Sequence, residues 1–315
     1  MNNSIDLRSV KNNRCCLCNT TSRKENTKNG YCSIVTSALD EYPVRCVGEW
    51  AQEKIYWLLS YFGIFSKGMK NKWPNAVNYV EICSGPGRCV IKDNGDEIDG
   101  TALAILNHEA FNYIRKAIFI DHNEKVVNSL NHRINDLGKG DKAKAYLGDY
   151  NDIEQISMIL GDLPPNCLNL IFLDPTDCSI SFTLIQAINE ILIYTDFIIN
   201  IALYTDLNRN LVRAFLNPRY QTAREKYSRF LGSDTFFEKQ INKSLAENEN
   251  FKDLRMRFLD DYKDNLVRLG FKYSEYPISI KNYYTILFAS KHHTGLNFWR
   301  KATLVEPSGQ KTFNL

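Results

Sequence analysis

Four acidic residues of this chain stand where short apolar runs end. Glu81 closes "VNYVE", Asp121 closes "AIFID", Asp149 follows "AKAYLG" and Asp174 closes "LIFLD". Each leads into a polar or turn-forming partner: Ser84-Gly85-Pro86-Gly87 shortly after the first, then His122, Tyr150 and Pro175. Carboxylates accept hydroxyl and amine hydrogens, move protons or bind cations. Gly85 and Gly87 carry no Cβ, so the main chain between them can turn sharply and present its N–H groups to a ligand.

The apolar runs that carry these groups read as strands over 77–83, 117–121, 144–147, 168–173 and 196–201. Helical periodicity fills the intervals 101–113, 123–137, 152–160 and 182–194. An earlier helix is marked by Trp50, Ile55, Leu58, Leu59 and Phe62. Near-continuously apolar strands alternating with helices predict a doubly wound, mostly parallel α/β sheet covered on both faces. "YPISI" and "YYTILFASKHH", separated by "KN", predict a C-terminal antiparallel hairpin. The expected organisation is a Cys-rich N-terminal module over 1–46, a core over 47–203, a helical insertion over 204–273 and closing strands with a tail over 274–315. The insertion holds Arg209, Arg213, Arg219, Arg224, Lys226 and Arg229 with few acids, which reads as a solvated face or as a platform for a polyanion such as nucleic acid.

In open α/β sheets ligands bind beyond the carboxyl ends of the strands. An acid at the end of each of four strands suits a nucleoside with a charged tail. Glu81 and the loop Ser84, Gly85, Pro86, Gly87 would meet the tail. Asp121, with His122 beside it, would accept from a ribose diol. Asp149 would accept from an exocyclic amine, with Tyr150 on the ring. Asp174, with Pro175 and Asp177, would face the reacting end, and Asn200 and Arg209 would contact substrate. That is the layout expected for S-adenosylmethionine. A dinucleotide is disfavoured, because "GPGRCVIKDNGDEIDG" places a polar loop where a helix should meet the pyrophosphate. Helix capping by Asp121 and Asp149, and a plain turn at "SGPG", remain alternative readings.

Cys15, Cys18, Cys32 and Cys46 are spaced C-x2-C-x13-C-x13-C, a candidate Zn²⁺ ligand set, with Cys16 able to replace either of the first two. Free, packed thiols are the other reading. The nine cysteines and a polar N-terminus with no apolar signal-like run predict a reducing, cytoplasmic location. No apolar run approaches the ~20 residues of a membrane span. The net charge of +3 is too small to argue for a polyanion partner by itself.

The series "VGEWAQEKIYWLLSYF", "MKNKWPNAVNYVEICSGPGRC", "GTALAIL", "FIDHN", "GDYND", "IFLDPTDCSI", "DFIINIALYTDLNRN" and "YTILFASKHHTGLNFW" resembles the three-Cys-motif partner proteins over most of the chain after residue 44. The resemblance implies a Rossmann-like methyltransferase fold, an S-adenosylmethionine pocket matching Ser84–Gly87, Asp121, Asp149 and Asp174-Pro175, and a radical-SAM-like three-Cys-motif protein as partner. One departure stands out. Amino-methyltransferases of nucleic acids place a second proline and an aromatic after the fourth strand, where this chain has Thr176-Asp177-Cys178. A metal-dependent nuclease built on Asp149, Asp174 and Asp177 is a further alternative.

Overall fold

The structure, a computed structural model, describes residues 9–15, 17–281, 283–307 and 310. The chain divides into two compact units. The first is Met1–Asp149, Cys167–Ile171 and Asn297–Leu315; the second is Tyr150–Asn166 and Phe172–Leu296.

The first unit holds β1 (Ser9–Lys11), α1 (Thr20–Asn26), β2 (Arg45–Val47), α2 (Trp50–Met69), β3 (Val77–Ile82), β4 (Arg88–Ile91), β5 (Asp96–Asp99), α3 (Thr101–Asn107), β6 (Lys116–Asp121), α4 (Glu124–Asp136), β7 (Ala143–Leu147) and the first residues of β8 (Leu168–Leu173). β3 pairs in parallel with β6, and β6 with β7, in a register that sets Glu81 opposite Phe119 and Asp121 opposite Leu147. All six residues of β3 are buried, which explains its unbroken apolar reading. Its one buried amide, Asn78, donates to Asn169 of β8 at 2.9 Å. α4 buries Val126, Val127, Leu130 and Ile134 at helical spacing and starts at Asn123, whose side chain accepts from the Lys125 and Val126 amides.

The second unit holds α5 (Ile153–Gly161), the end of β8, α6 (Phe182–Ile191), β9 (Tyr194–Ile201), a π-helical turn (Leu203–Leu207), α7 (Asn208–Leu216), a 3₁₀ turn (Pro218–Tyr220), α8 (Gln221–Leu231), α9 (Thr235–Glu238), α10 (Gln240–Glu247), α11 (Phe251–Arg268), β10 (Tyr273–Ile280), β11 (Tyr284–Ser290) and the start of α12 (His293–Ala302). β11 runs antiparallel to both β9 and β10, as the C-terminal hairpin predicted. Asn282 of its "KN" turn lies outside the described residues. The seven-stranded sheet has the order β10-β11-β9-β8-β3-β6-β7. No helix among the described residues is long and apolar enough to cross a membrane.

Three local expectations change. Residues 88–99, expected as a polar loop, form the hairpin β4–β5 at the centre of a second sheet ordered β1-β5-β4-β2. Its charges are consumed internally: buried Arg88 pairs with buried Glu97 and with Asp99, the latter at 2.8 Å. Glu97 also accepts from Ser37, the Ala38 amide and Asn12. The N-terminal segment thus has strands: β1 pairs antiparallel with β5, some 85 residues along the chain, and β2 pairs in parallel with β4. The helix expected over 101–113 breaks at His108, whose Nδ1 accepts the Ala110 amide and opens a 3₁₀ turn. The helix expected to reach 194 ends at Ile191, because Tyr194 and Thr195 already belong to β9.

Candidate functional site

In the first unit the loop after β3 carries three left-handed residues in five. Cys83 has φ 69°, Gly85 66° and Gly87 96°. For Cys83, which has a Cβ, this conformation costs about 1–2 kcal/mol. Two hydrogen bonds hold it there, from the Cys83 and Ser84 amides to the Ile120 carbonyl at 2.9 and 3.1 Å. Asp121 then accepts the Gly85 amide on Oδ2 at 3.0 Å and the Asn123 amide on Oδ1 at 3.1 Å. Buried Arg133 of α4 donates to the Pro86 and Pro43 carbonyls and forks onto Asp40 at 2.7 Å. Burial would raise the Asp40 carboxyl, but the Arg133 guanidinium holds it below its ordinary value. The two glycines answer different needs. A Cβ on Gly87 would meet Leu130 and Leu103 at 3.0 and 3.1 Å, whereas at Gly85 only the backbone angle demands glycine. The loop is therefore shaped by its own protein. Ser84 Oγ is buried with no hydrogen-bond partner.

The other acids of this unit separate by environment. Glu81 is fully buried and accepts hydroxyl hydrogens from Tyr79, at 2.8 Å, and from Thr101 at the start of α3, so it braces β3 against that helix. Asp121 is buried, with the exposed His122 imidazole 3.5 Å away. Asp149 is exposed, and helix capping falls to Asp152, which accepts the Gln155 amide.

In the second unit Asp174 and Pro175 are buried at the end of β8. Asn200 of β9 donates from Nδ2 to Asp174 Oδ1 at 2.8 Å. With its NH₂ turned to a carboxylate, the amide's Oδ1 is fixed facing away, and it has no hydrogen-bond partner. Asp177 pairs with Lys226 of α8 at 3.2 Å. Tyr150 shares a hydrogen bond with Ser179 at 2.7 Å, and Arg209 is exposed on α7.

Sequence reasoning missed the residue that organises this region. Asp206, buried in the π-helical turn, accepts from Lys226 at 2.6 Å, the Cys178 amide at 2.9 Å, Tyr227 at 2.9 Å and Asn210 at 3.0 Å. Burial would raise its carboxyl; Lys226 and the Cys178 amide override this and hold it low. Lys226 is raised in turn: burial opposes its charge, and Asp206 and then Asp177 restore it. The π turn, a feature frequent at functional sites, is a conformation that residue types do not announce. Arg133 escaped for another reason, since its partner Asp40 lies 93 residues away.

Cys15, Cys18, Cys32 and Cys46 do enter one neighbourhood. Cys32 and Cys15 pack with Val35, Val44 and Val90, and the Cys46 thiol is pushed up to about 11 by burial and by Cys32, with Cys15 and Cys18 adding to it. Among the described residues, however, no group of three or more His, Cys, Asp or Glu is placed to hold a metal ion. The expected Zn²⁺ ligand set is thus not seen among the described residues. Cys16 lies outside the described residues.

A sheet in which antiparallel β11 sits between β9 and β10 at one edge, with β7 at the other, has the Rossmann-like methyltransferase-type strand order that the sequence predicts. Solved structures similar to this chain include the SAH-bound Podospora anserina methyltransferase PaMTH1, at 12% identity over 78% of this chain and 89% of that one, TM-score 0.37. An Aquifex aeolicus SAM-dependent methyltransferase is similar at 12% identity over 72% and 89%, TM-score 0.36. The B. subtilis m1A22 tRNA methyltransferase TrmK is similar at 12% identity over 72% and 65%, TM-score 0.33. Such distant likenesses leave the fold assignment to the strand order itself. No protein-family model matches the chain, and no curated protein matches it.

Proposed function

We propose that this protein is an S-adenosylmethionine-dependent methyltransferase acting on a macromolecule. The observation that carries the reading is the loop after β3: left-handed at Cys83, Gly85 and Gly87, fixed by Asp121, and holding the unpartnered Ser84 Oγ. These residues fit a nucleoside cofactor. Each Asp121 oxygen spends one lone pair on a backbone amide and keeps another for a ribose hydroxyl. The Ser84 hydroxyl would hold the polar tail, and Asp149 with its exposed carboxylate would take an exocyclic amine. The cofactor, when bound, supplies a methyl group on an already activated sulfonium, so the protein's work is alignment.

Asp174 and Asn200 are the residues assigned to the acceptor. Asp174 presents a carboxylate that accepts an N–H hydrogen and takes up the proton as the nitrogen is methylated. Asn200 Oδ1, unpartnered and fixed in direction, accepts a second N–H hydrogen. Both acceptors favour a nitrogen nucleophile over a hydroxyl. Asp177, the other carboxylate of this loop, is paired with Lys226.

A second reading follows from the resemblance to the three-Cys-motif partner proteins: the chain keeps the nucleoside pocket and serves a radical-SAM-like partner without transferring a methyl group itself. What favours it is the loop Thr176-Asp177-Cys178, which has no aromatic to stack on a flipped base and is tied to Lys226. Incubation with methyl-tritiated S-adenosylmethionine and total cellular RNA, DNA or protein separates the two. Incorporation that is lost in Asp174→Ala supports the transferase; binding of the cofactor with no incorporation into any fraction supports the partner reading.

A further inference from the structure

The helical insertion of the second unit carries a cleft of about 560 Å³, lined by Asn208, Glu249, Asn250, Phe251, Lys252 and Arg255. Its volume falls in the range of ligand pockets, ~300–1,000 Å³. Three features distinguish it from an incidental surface dent. Phe251, in the first turn of α11, is a 42% exposed aromatic residue on its wall. Arg255, one turn further on, is held in place rather than free: its guanidinium lies over the Tyr204 ring, 5.7 Å from the centroid, and donates to Asn208 Oδ1. Lys252 is exposed and has no ion-pair or hydrogen-bond partner among the described residues. An ordered guanidinium and a loose ammonium beside an exposed aromatic are the elements that bind a base and its phosphate together. Glu249 lines the same cleft and offsets one of the two charges, so charge alone does not explain the arrangement.

The position of the cleft connects it to the acceptor. Tyr204 lies in the π-helical turn that follows β9, Asn208 directly follows that turn, and β9 carries Asn200. Exposed Arg209 follows Asn208, and Arg213 one turn later lies over the Tyr220 ring. A chain tracking these residues would run along the insertion from the segment that leaves β9.

We propose that this cleft takes one nucleotide unit of a single-stranded nucleic acid, with the base on Phe251 and the phosphate between Lys252 and Arg255. The inference deepens the proposed function, and rests on it only in naming the bound strand as the methyl acceptor.

The test uses the full chain and a short fluorescein-labelled single-stranded RNA, followed by fluorescence anisotropy between about 50 and 200 mM salt. Phe251→Ala is expected to weaken binding about tenfold. Lys252→Glu is expected to weaken it and to lower the salt slope by about 1 or more. Arg268→Glu, an exposed charge reversal at the far end of α11, is expected to bind like the unaltered protein. A DNA strand of the same sequence tells whether the ribose hydroxyl is read. Absence of RNA and DNA binding by the unaltered protein, equal losses in all three variants, or displacement by polyglutamate as readily as by RNA would overturn the proposal. Calorimetric titration of S-adenosylhomocysteine into the same variants separates the two readings. If it binds and nucleic acid does not, the cleft assignment falls alone; if nucleic acid binds and it does not, the methyltransferase reading falls alone.

Discussion

The loop after β3 and the loop after β8 each end a buried strand and each carry residues assigned to chemistry, yet they are held in different ways. The first is fixed from within by buried groups: Asp121 on the Gly85 amide, Arg133 on the Pro86 carbonyl, and leucines packed where a Gly87 Cβ would stand. The second is tied at its inner end to buried Asp206 through the Cys178 amide, but its outer carboxylate, Asp177, is 41% exposed and pairs with Lys226, whose side chain is 20% exposed. A buried, multiply bonded charge admits one geometry, whereas a half-solvated ion pair exchanges partners with water at little cost.

The comparison can be broken first at Arg133. Arg133→Met strands Asp40 and two carbonyls without their donor and should cost about 3–5 kcal/mol in denaturant unfolding. The same region sets the acid limit. The Asp40 and Glu97 carboxyls both lie below their ordinary values of 3.8 and 4.5. Their contribution is complete above those values and is lost as pH falls through the lower folded values, so unfolding free energy should hold above about pH 5 and fall steeply below pH 4. In Arg133→Met that acid slope should flatten.

A smaller effect is expected at the second loop. Lys226→Met removes one of four donors to Asp206 and should cost about 1–3 kcal/mol. Its sharper signature is local: the Cys178 thiol, fully buried in the native protein, should become alkylatable under conditions where the unaltered protein is protected, as read by mass spectrometry. Lys226→Arg should restore protection. Equal reactivity in native protein and Lys226→Met would remove the tether. The smallest change is Cys83→Gly, which relieves a left-handed Cβ and should stabilise the fold by about 1 kcal/mol.

The sequence announces the strands and their terminal acids well, because burial on both faces leaves unbroken apolar runs and a carboxylate at the end of such a run is conspicuous. It announces the braces poorly. Arg88, Glu97 and Arg133 look like surface charges until their partners are known: Asp40 lies 93 residues from Arg133, and Asn12, one of the donors to Glu97, lies 85 residues from it. Glu81 had the residue type of a rim acid, but the register of β3 buries it among hydroxyls. The cysteine spacing brought four thiols together without the convergence a metal ion needs.

The central claim is that the Asp121-braced loop is a nucleoside-cofactor site. Calorimetric titration of S-adenosylhomocysteine into the full chain, beside Asp121→Ala and Asp177→Ala, tests it most directly. The account predicts one saturable site per chain, retained in Asp177→Ala and weakened at least tenfold in an Asp121→Ala protein whose circular dichroism is native. No heat of binding with the unaltered folded protein, or equal affinity in Asp121→Ala, would contradict it.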